Sequence, residues 1–126
     1  MRIVGIGLDA AEIDRIASVL ERFGDRFLRR VFTEAEITYC TRHRNPAPSL
    51  AARFAAKEAA MKALGTGVSM GVSWRDVEVV RGDGPPSLRF HGVAADRLAA
   101  LGANGSLVTL THAEKLALAH VILTAG

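Results

Sequence analysis

Arg53, Lys57, Glu58 and Lys62 bring three cations and one carboxylate into a single short segment of the chain. A metal-bound polyphosphate needs that mixture, because cations balance phosphate charge while a carboxylate helps hold the metal. The ordinary alternatives are an i,i+4 surface pair between Glu58 and Lys62, and a Lys57 that snorkels to solvent. The density of charge favours chemistry. A second carboxylate, Asp9, follows Gly5-Ile6-Gly7-Leu8. Alternation puts Asp9 on the strand face of Gly5 and Gly7, where the missing side chains leave room for a close neighbour. His112, after Thr109 and Thr111, closes a later strand at a sheet edge. His43, His91 and His120 have no such context, and Cys40 has no His or Cys partner at useful spacing, so it reads as structural.

The letters Gly5-Ile6-Gly7-Leu8-Asp9-Ala10 match a dinucleotide fingerprint, but the chemistry does not. Asp9 would stand in the phosphate turn with the wrong sign, and no second hydrophobic strand follows at βαβ distance. A Walker-type lysine loop is also missing.

The elements that must position these residues follow from periodicity. Residues 2–8 read as a strand ending at Asp9, and 11–23 as a helix with Ile13, Ile16, Ala17, Leu20 and Phe23 at helical spacing. Thr33-Glu34-Ala35-Glu36 is a capping box that starts a short helix. Ser49 is expected to cap a longer helix to about Leu64, with Gly65 as its stop. On that helix Leu50, Phe54, Met61 and Leu64 share a stripe into which Lys57 intrudes. Trp74–Arg81 and Ser87–His91 pair around a Gly/Pro turn, Val93–Leu101 is a short helix, and Ser106–His112 and Leu116–Leu123 are the last strands. Hairpins rather than βαβ units predict an α+β fold, an antiparallel sheet with packed helices.

The 126 residues make one domain, 1–126, and the 49% hydrophobic content excludes disorder as the main state. No apolar run is long enough to span a bilayer, and Asp9 comes too early for a secretory leader. With a single cysteine, the expectation is a cytoplasmic protein without membrane partners. The net charge of +3 is matched by the 22–30 window alone, where Arg22, Arg26, Arg29 and Arg30 face only Asp25. Such a patch suits phosphates or an acidic protein. At 6% aromatic residues there is little to stack bases on, so nucleic acid is not expected as a partner.

Four segments together resemble the holo-[acyl-carrier-protein] synthases, small 4′-phosphopantetheinyl transferases. They are Gly5-Ile6-Gly7-Leu8-Asp9 running on through Glu12-Ile13-Asp14-Arg15-Ile16; Phe32-Thr33-Glu34-Ala35-Glu36 with Tyr39-Cys40; Arg53-Phe54-Ala55-Ala56-Lys57-Glu58-Ala59 with Lys62-Ala63-Leu64-Gly65; and Val108-Thr109-Leu110-Thr111-His112. They stand in the family's order and spacing, with Thr109 where the family usually has Ser. The resemblance implies transfer of the phosphopantetheine arm of coenzyme A to a serine of apo acyl carrier protein, releasing adenosine 3′,5′-bisphosphate, with Mg2+ as cofactor. It implies that Asp9 and Glu58 hold the metal. Glu58, directly or through a metal-bound water, would help deprotonate the serine, and Lys62 would stabilise or protonate the leaving phosphate. Arg53, Lys62, Gly65, Thr111 and His112 would surround coenzyme A, while Arg15, Arg22 and Arg26 would dock the acidic carrier. It further implies a homotrimer with active sites at subunit interfaces, which would account for Lys57 in an apolar stripe.

Two other classes compete with a transferase. A non-catalytic module binding a nucleotide or coenzyme A would gain nothing from Asp9 and Glu58. A basic nucleic-acid-binding domain would show a steep salt slope but has no recognisable motif here.

Overall fold

The computed structural model describes residues 1–126. The chain runs β1 (Arg2–Glu12), α1 (Ile13–Phe23), α2 (Asp25–Val31), α3 (Glu34–Thr41), α4 (Ala47–Leu64), a 3-10 turn (Trp74–Asp76), β2 (Val77–Val80), β3 (Ser87–Phe90), α5 (Gly92–Ala100), β4 (Gly105–His112) and β5 (Leu116–Ala125). It is an α+β fold in which every strand pairing is antiparallel. The expected single sheet divides in two: a three-stranded sheet ordered β1-β5-β4, and the hairpin β2-β3, whose short strands pair only with each other.

Helix α4 lies at the centre. Thirteen of its 18 residues are buried, so it has no single apolar stripe of the kind expected from its larger side chains. Eight of the thirteen are alanines, which let neighbouring backbones come close. β1 does so through its glycines: a Cβ on Gly5 would overlap the Ala63 carbonyl, and one on Gly7 the Ala59 carbonyl. The room left by these glycines is therefore occupied by the α4 backbone.

This packing sets the two faces of the larger sheet. Gly7–Val121–Val108 and Asp9–Ala119–Leu110 form rows facing α4. Ile6–Ile122–Leu107, Leu8–His120–Thr109 and Ala10–Leu118–Thr111 form rows facing away, and there Ile6, Leu8 and Leu107 are 61%, 60% and 56% exposed. The period-2 alternation of β1 holds, but the glycine face is the packed one.

Several boundaries differ from the periodicity reading. Asp9 does not end its strand, because Ala10, Ala11 and Glu12 continue the ladder against Leu118, Ala117 and Leu116. α1 accordingly starts at Ile13, not residue 11, where the backbone N–H of Ile13 donates to Lys115 O at 2.9 Å. The basic stretch forms a helix of its own, α2, after Gly24 turns the chain at φ 52°. α4 starts two residues before Ser49, because Pro46 and Pro48 suit a first helical turn. The Ser49 hydroxyl instead accepts from Arg53 Nη1 at 2.9 Å. Of the expected strand Trp74–Arg81 only Val77–Val80 is extended, since Ser73 and Asp76 cap a 3-10 turn over its first residues. The Thr33 capping box and the Gly65 stop, at φ 78°, form as expected.

Candidate active site

Glu58, Lys62 and Gly65 follow one another at i, i+4 and i+7 along α4, so one face of the helix carries all three. That face meets β1 at Asp9. Lys62 Nζ donates to Asp9 Oδ1 at 2.7 Å and to Leu8 O at 3.2 Å. The Asp9 side chain is well shielded while Lys62 is half exposed, so the pair opens to solvent on one side. Glu58 faces Asp9 as well. Partial burial, then the hydrogen bond to Asp9 and that residue's negative charge, push the Glu58 carboxyl up to about 7; Lys62 and Arg15 pull the other way. Asp9 in turn raises the Lys62 ammonium. At neutral pH the Glu58 carboxyl is thus poised between holding and releasing a proton, as a partly buried acid beside a negative charge must be.

A crowded carboxylate pair is also a cation site. No third Asp, Glu, His or Cys joins the two. Mg2+ commonly takes one or two protein carboxylates and fills its octahedron with water and substrate phosphate, so the residues present fit that ion.

Arg53 faces the other side of α4 and lines a cavity of about 490 Å3 with Tyr39, His43, Ser49, Arg81 and His112. It is 4% exposed, its guanidinium stacks 4.3 Å from the centre of the Tyr39 ring, and its Nε is the one buried side-chain nitrogen or oxygen without a hydrogen-bond partner. A buried unpaired donor is costly, and an anionic ligand would satisfy it. The fold therefore brings Arg53 and His112 together, fifty-nine residues apart in the chain. Sequence reasoning missed His43 and Arg81 here, because neither has a motif and only the approach of β2 to α4 places Arg81 beside Arg53.

Other candidates lie elsewhere. Thr111 is on the outward row with Ala10 and Leu118, on the opposite face of the sheet from Asp9. Gly65 sits at the end of α4, beyond Lys62 and away from the Arg53 cavity. Arg15, on α1, lines a largely apolar cavity of about 430 Å3 that reaches Glu58. Arg22 and Arg26 are exposed and make no ion pair, unlike Arg29, which is held by Asp25 and Glu34.

Lys57 corrects the reading made of it. It neither snorkels nor lines a cleft, and its place needs no neighbouring subunit. It is fully buried, and Nζ donates to Glu36 Oε1 at 2.7 Å, Val77 O at 2.5 Å and Trp74 O at 3.2 Å. It is unavailable to a ligand.

Paired carboxylates answered by a lysine, with a separate cationic cavity on an α+β frame, make a site suited to a metal-bound anionic substrate. A family model described as the 4′-phosphopantetheinyl transferase superfamily matches residues 5–119, and the chain belongs to that superfamily. It is 51% identical over 122 residues to a holo-[acyl-carrier-protein] synthase of Koribacter versatilis, covering 96% of this chain and 98% of the relative. Among solved structures it is similar to the holo-[acyl-carrier-protein] synthase of Neisseria meningitidis, with a TM-score of 0.88, 31% identity and 98% and 99% of the two chains covered. The Helicobacter pylori synthase in complex with coenzyme A gives a TM-score of 0.83 at 27% identity, over 94% and 99% of the chains.

Proposed function

We propose that this chain is a holo-[acyl-carrier-protein] synthase: it transfers the 4′-phosphopantetheine group of coenzyme A to a serine of apo acyl carrier protein, in support of fatty acid or polyketide biosynthesis. The near full-length similarity to synthases, one of them bound to coenzyme A, supports the reaction. The observation that carries the reading in this chain is the meeting of Asp9, Glu58 and Lys62 where β1 crosses α4.

In the transfer the serine oxygen forms a bond to the phosphorus that bears the pantetheine arm. The bond from that phosphorus to the bridging oxygen breaks, and adenosine 3′,5′-bisphosphate leaves with the electron pair. Asp9 and Glu58 would hold Mg2+, which when bound offsets the negative charge of the pyrophosphate. Glu58, facing Asp9 where β1 crosses α4, takes the serine proton. Lys62, half exposed, turns its ammonium to the leaving phosphate and donates a proton or a hydrogen bond there. Arg53 offers its unpaired Nε–H to a phosphate of the nucleotide, and His112 closes the same cavity. Charge placement of this kind is the main source of rate in phosphoryl-type transfer.

Assembly as a homotrimer belongs to the same reading. The apolar outward face of the β1-β5-β4 sheet supports it, since an exposed face of this kind normally has a partner. A neighbouring subunit packed on that face would also bring Thr111 to a site it cannot reach within its own chain. Arg15, at the Glu58 cavity, and Arg22 and Arg26 are exposed and free of ion pairs, which suits docking of an acidic carrier. The chain acts as one domain over 1–126, around a single hydrophobic core. No helix is long and apolar enough to cross a membrane, and the lone, buried, unpaired Cys40 suits a reducing cytoplasm.

The deciding experiment is intact-mass spectrometry of an apo acyl carrier protein incubated with the protein, coenzyme A and Mg2+. The expected result is a gain of roughly 340 Da that disappears with EDTA. No gain on carriers of fatty acid, polyketide and peptide synthases would overturn the assignment.

A further inference from the structure

The Lys57–Glu36 pair is costly to build and touches nothing that reacts. Both side chains are essentially unexposed, and burying two charges cancels most of what their attraction returns. Apolar residues of similar volume would serve stability as well, so the pair calls for another explanation.

The Glu36 carboxylate joins three elements. Oε1 accepts from Lys57 Nζ at 2.7 Å and from the Thr33 backbone N–H at 2.9 Å, and Oε2 accepts from the Val79 N–H at 2.9 Å. Lys57 adds its bonds to Val77 O and Trp74 O. Helices α3 and α4 and strand β2 are thereby pinned at one point. From each anchor the chain reaches the Arg53 cavity within a few residues: Tyr39 is three past Glu36, Arg53 four before Lys57, and Arg81 two past Val79. The guanidinium of Arg53 stacks on Tyr39 and shares a cavity wall with Arg81.

We propose that Lys57 and Glu36 are positioning residues for coenzyme A: the buried pair fixes α3, α4 and β2 so that Tyr39, Arg53 and Arg81 present one preorganised cationic wall. This rests on the reading that the Arg53 cavity takes the nucleotide of coenzyme A. Directional buried bonds can hold such a wall to within the tolerance that binding requires, whereas interchangeable apolar packing can slide.

The test compares Lys57→Met/Glu36→Gln with wild type in steady-state transfer to apo acyl carrier protein. Calorimetric binding of adenosine 3′,5′-bisphosphate is measured alongside. The neutral pair keeps an acceptor for Val79 and should fold. The KM for coenzyme A should rise about tenfold and nucleotide affinity fall in step, with kcat changed less than about threefold. In an Arg53→Met background the same double change should have no further effect on KM, a non-additivity that general loosening would not produce. If the double variant is unfolded by circular dichroism, Glu36→Gln alone should raise the KM in the same Arg53-dependent way. A folded variant with an unaltered KM, while Arg53→Met raises it, overturns the positioning role and leaves the cavity reading intact. An unaltered KM in Arg53→Met itself overturns both.

Discussion

Gly7 of β1 lies against the Ala59 carbonyl of α4 so closely that no side-chain carbon fits between them. The contact sits two residues before Asp9 and one after Glu58, so the spacing of the two carboxylates is set by a strand and a helix in backbone contact.

Gly7→Val should therefore cost both stability and chemistry. The added side chain must push α4 off the sheet, at a cost of about 2–4 kcal/mol. Urea unfolding at pH 7.5 would read the loss, and the folded fraction should turn over more slowly than wild type at saturating coenzyme A. Unchanged stability would mean that α4 can move away without penalty.

Glu58→Ala should lower kcat by roughly 10²–10⁴-fold, the range expected for losing a positioned proton acceptor, while the far-ultraviolet spectrum stays unchanged. Intact-mass assay of the carrier protein measures the rate. Near-normal turnover would remove Glu58 from the reacting centre.

The raised Glu58 carboxyl also predicts a pH signature in the protein stripped of metal by EDTA. In the folded chain this group titrates at about 7, above its ordinary 4.5, because of burial first and Asp9 second. The folded state thus binds a proton that the unfolded state has already released, and the stability this group contributes falls as pH rises from about 4.5 through about 7. Glu58→Gln should unfold at a higher temperature than wild type at pH 8 and at a similar one at pH 4. Added Mg2+ should raise the wild-type midpoint at pH 8 more than at pH 5. A thermal scan at the two pH values checks both signs, and a flat difference between variant and wild type would rule out the assigned shift.

Leu118→Glu puts a charge on the middle strand, β5, of the outward sheet face. If that face is a subunit interface, light scattering should show the variant as monomer, with little turnover. A variant that keeps the wild-type mass in solution would exclude this face from assembly.

Arg26→Glu, on α2 and clear of ion pairs, should raise the KM for carrier protein more than that for coenzyme A, and added salt should imitate it in wild type. A KM for carrier protein unmoved by the reversal would take Arg26 out of the docking surface.

Local chemistry made part of this protein legible from its residues alone. The capping box at Thr33, the glycine stop at Gly65 and the α+β class depend on neighbours a few positions apart and form as read, and both hairpins form, the first over shorter strands than expected. The placing of Glu58 and Lys62 on one helix face is equally local, although the ion pair of Lys62 is made with Asp9. What lay beyond the sequence depends on which surfaces meet. Three further pairs carried Asp9 into mid-strand, because β5 is long enough to continue the ladder. Lys57 looked like a group bound for solvent or ligand until α3 supplied Glu36 and the approach to β2 supplied two carbonyls. His43 and Arg81 joined Arg53 only through that same docking, and Thr111 was carried to the far side of the sheet by register. Capping and helical spacing act along the chain and can be read along it; partners for buried charges and walls for cavities come from long-range packing, which many sequences of the same local pattern would satisfy differently.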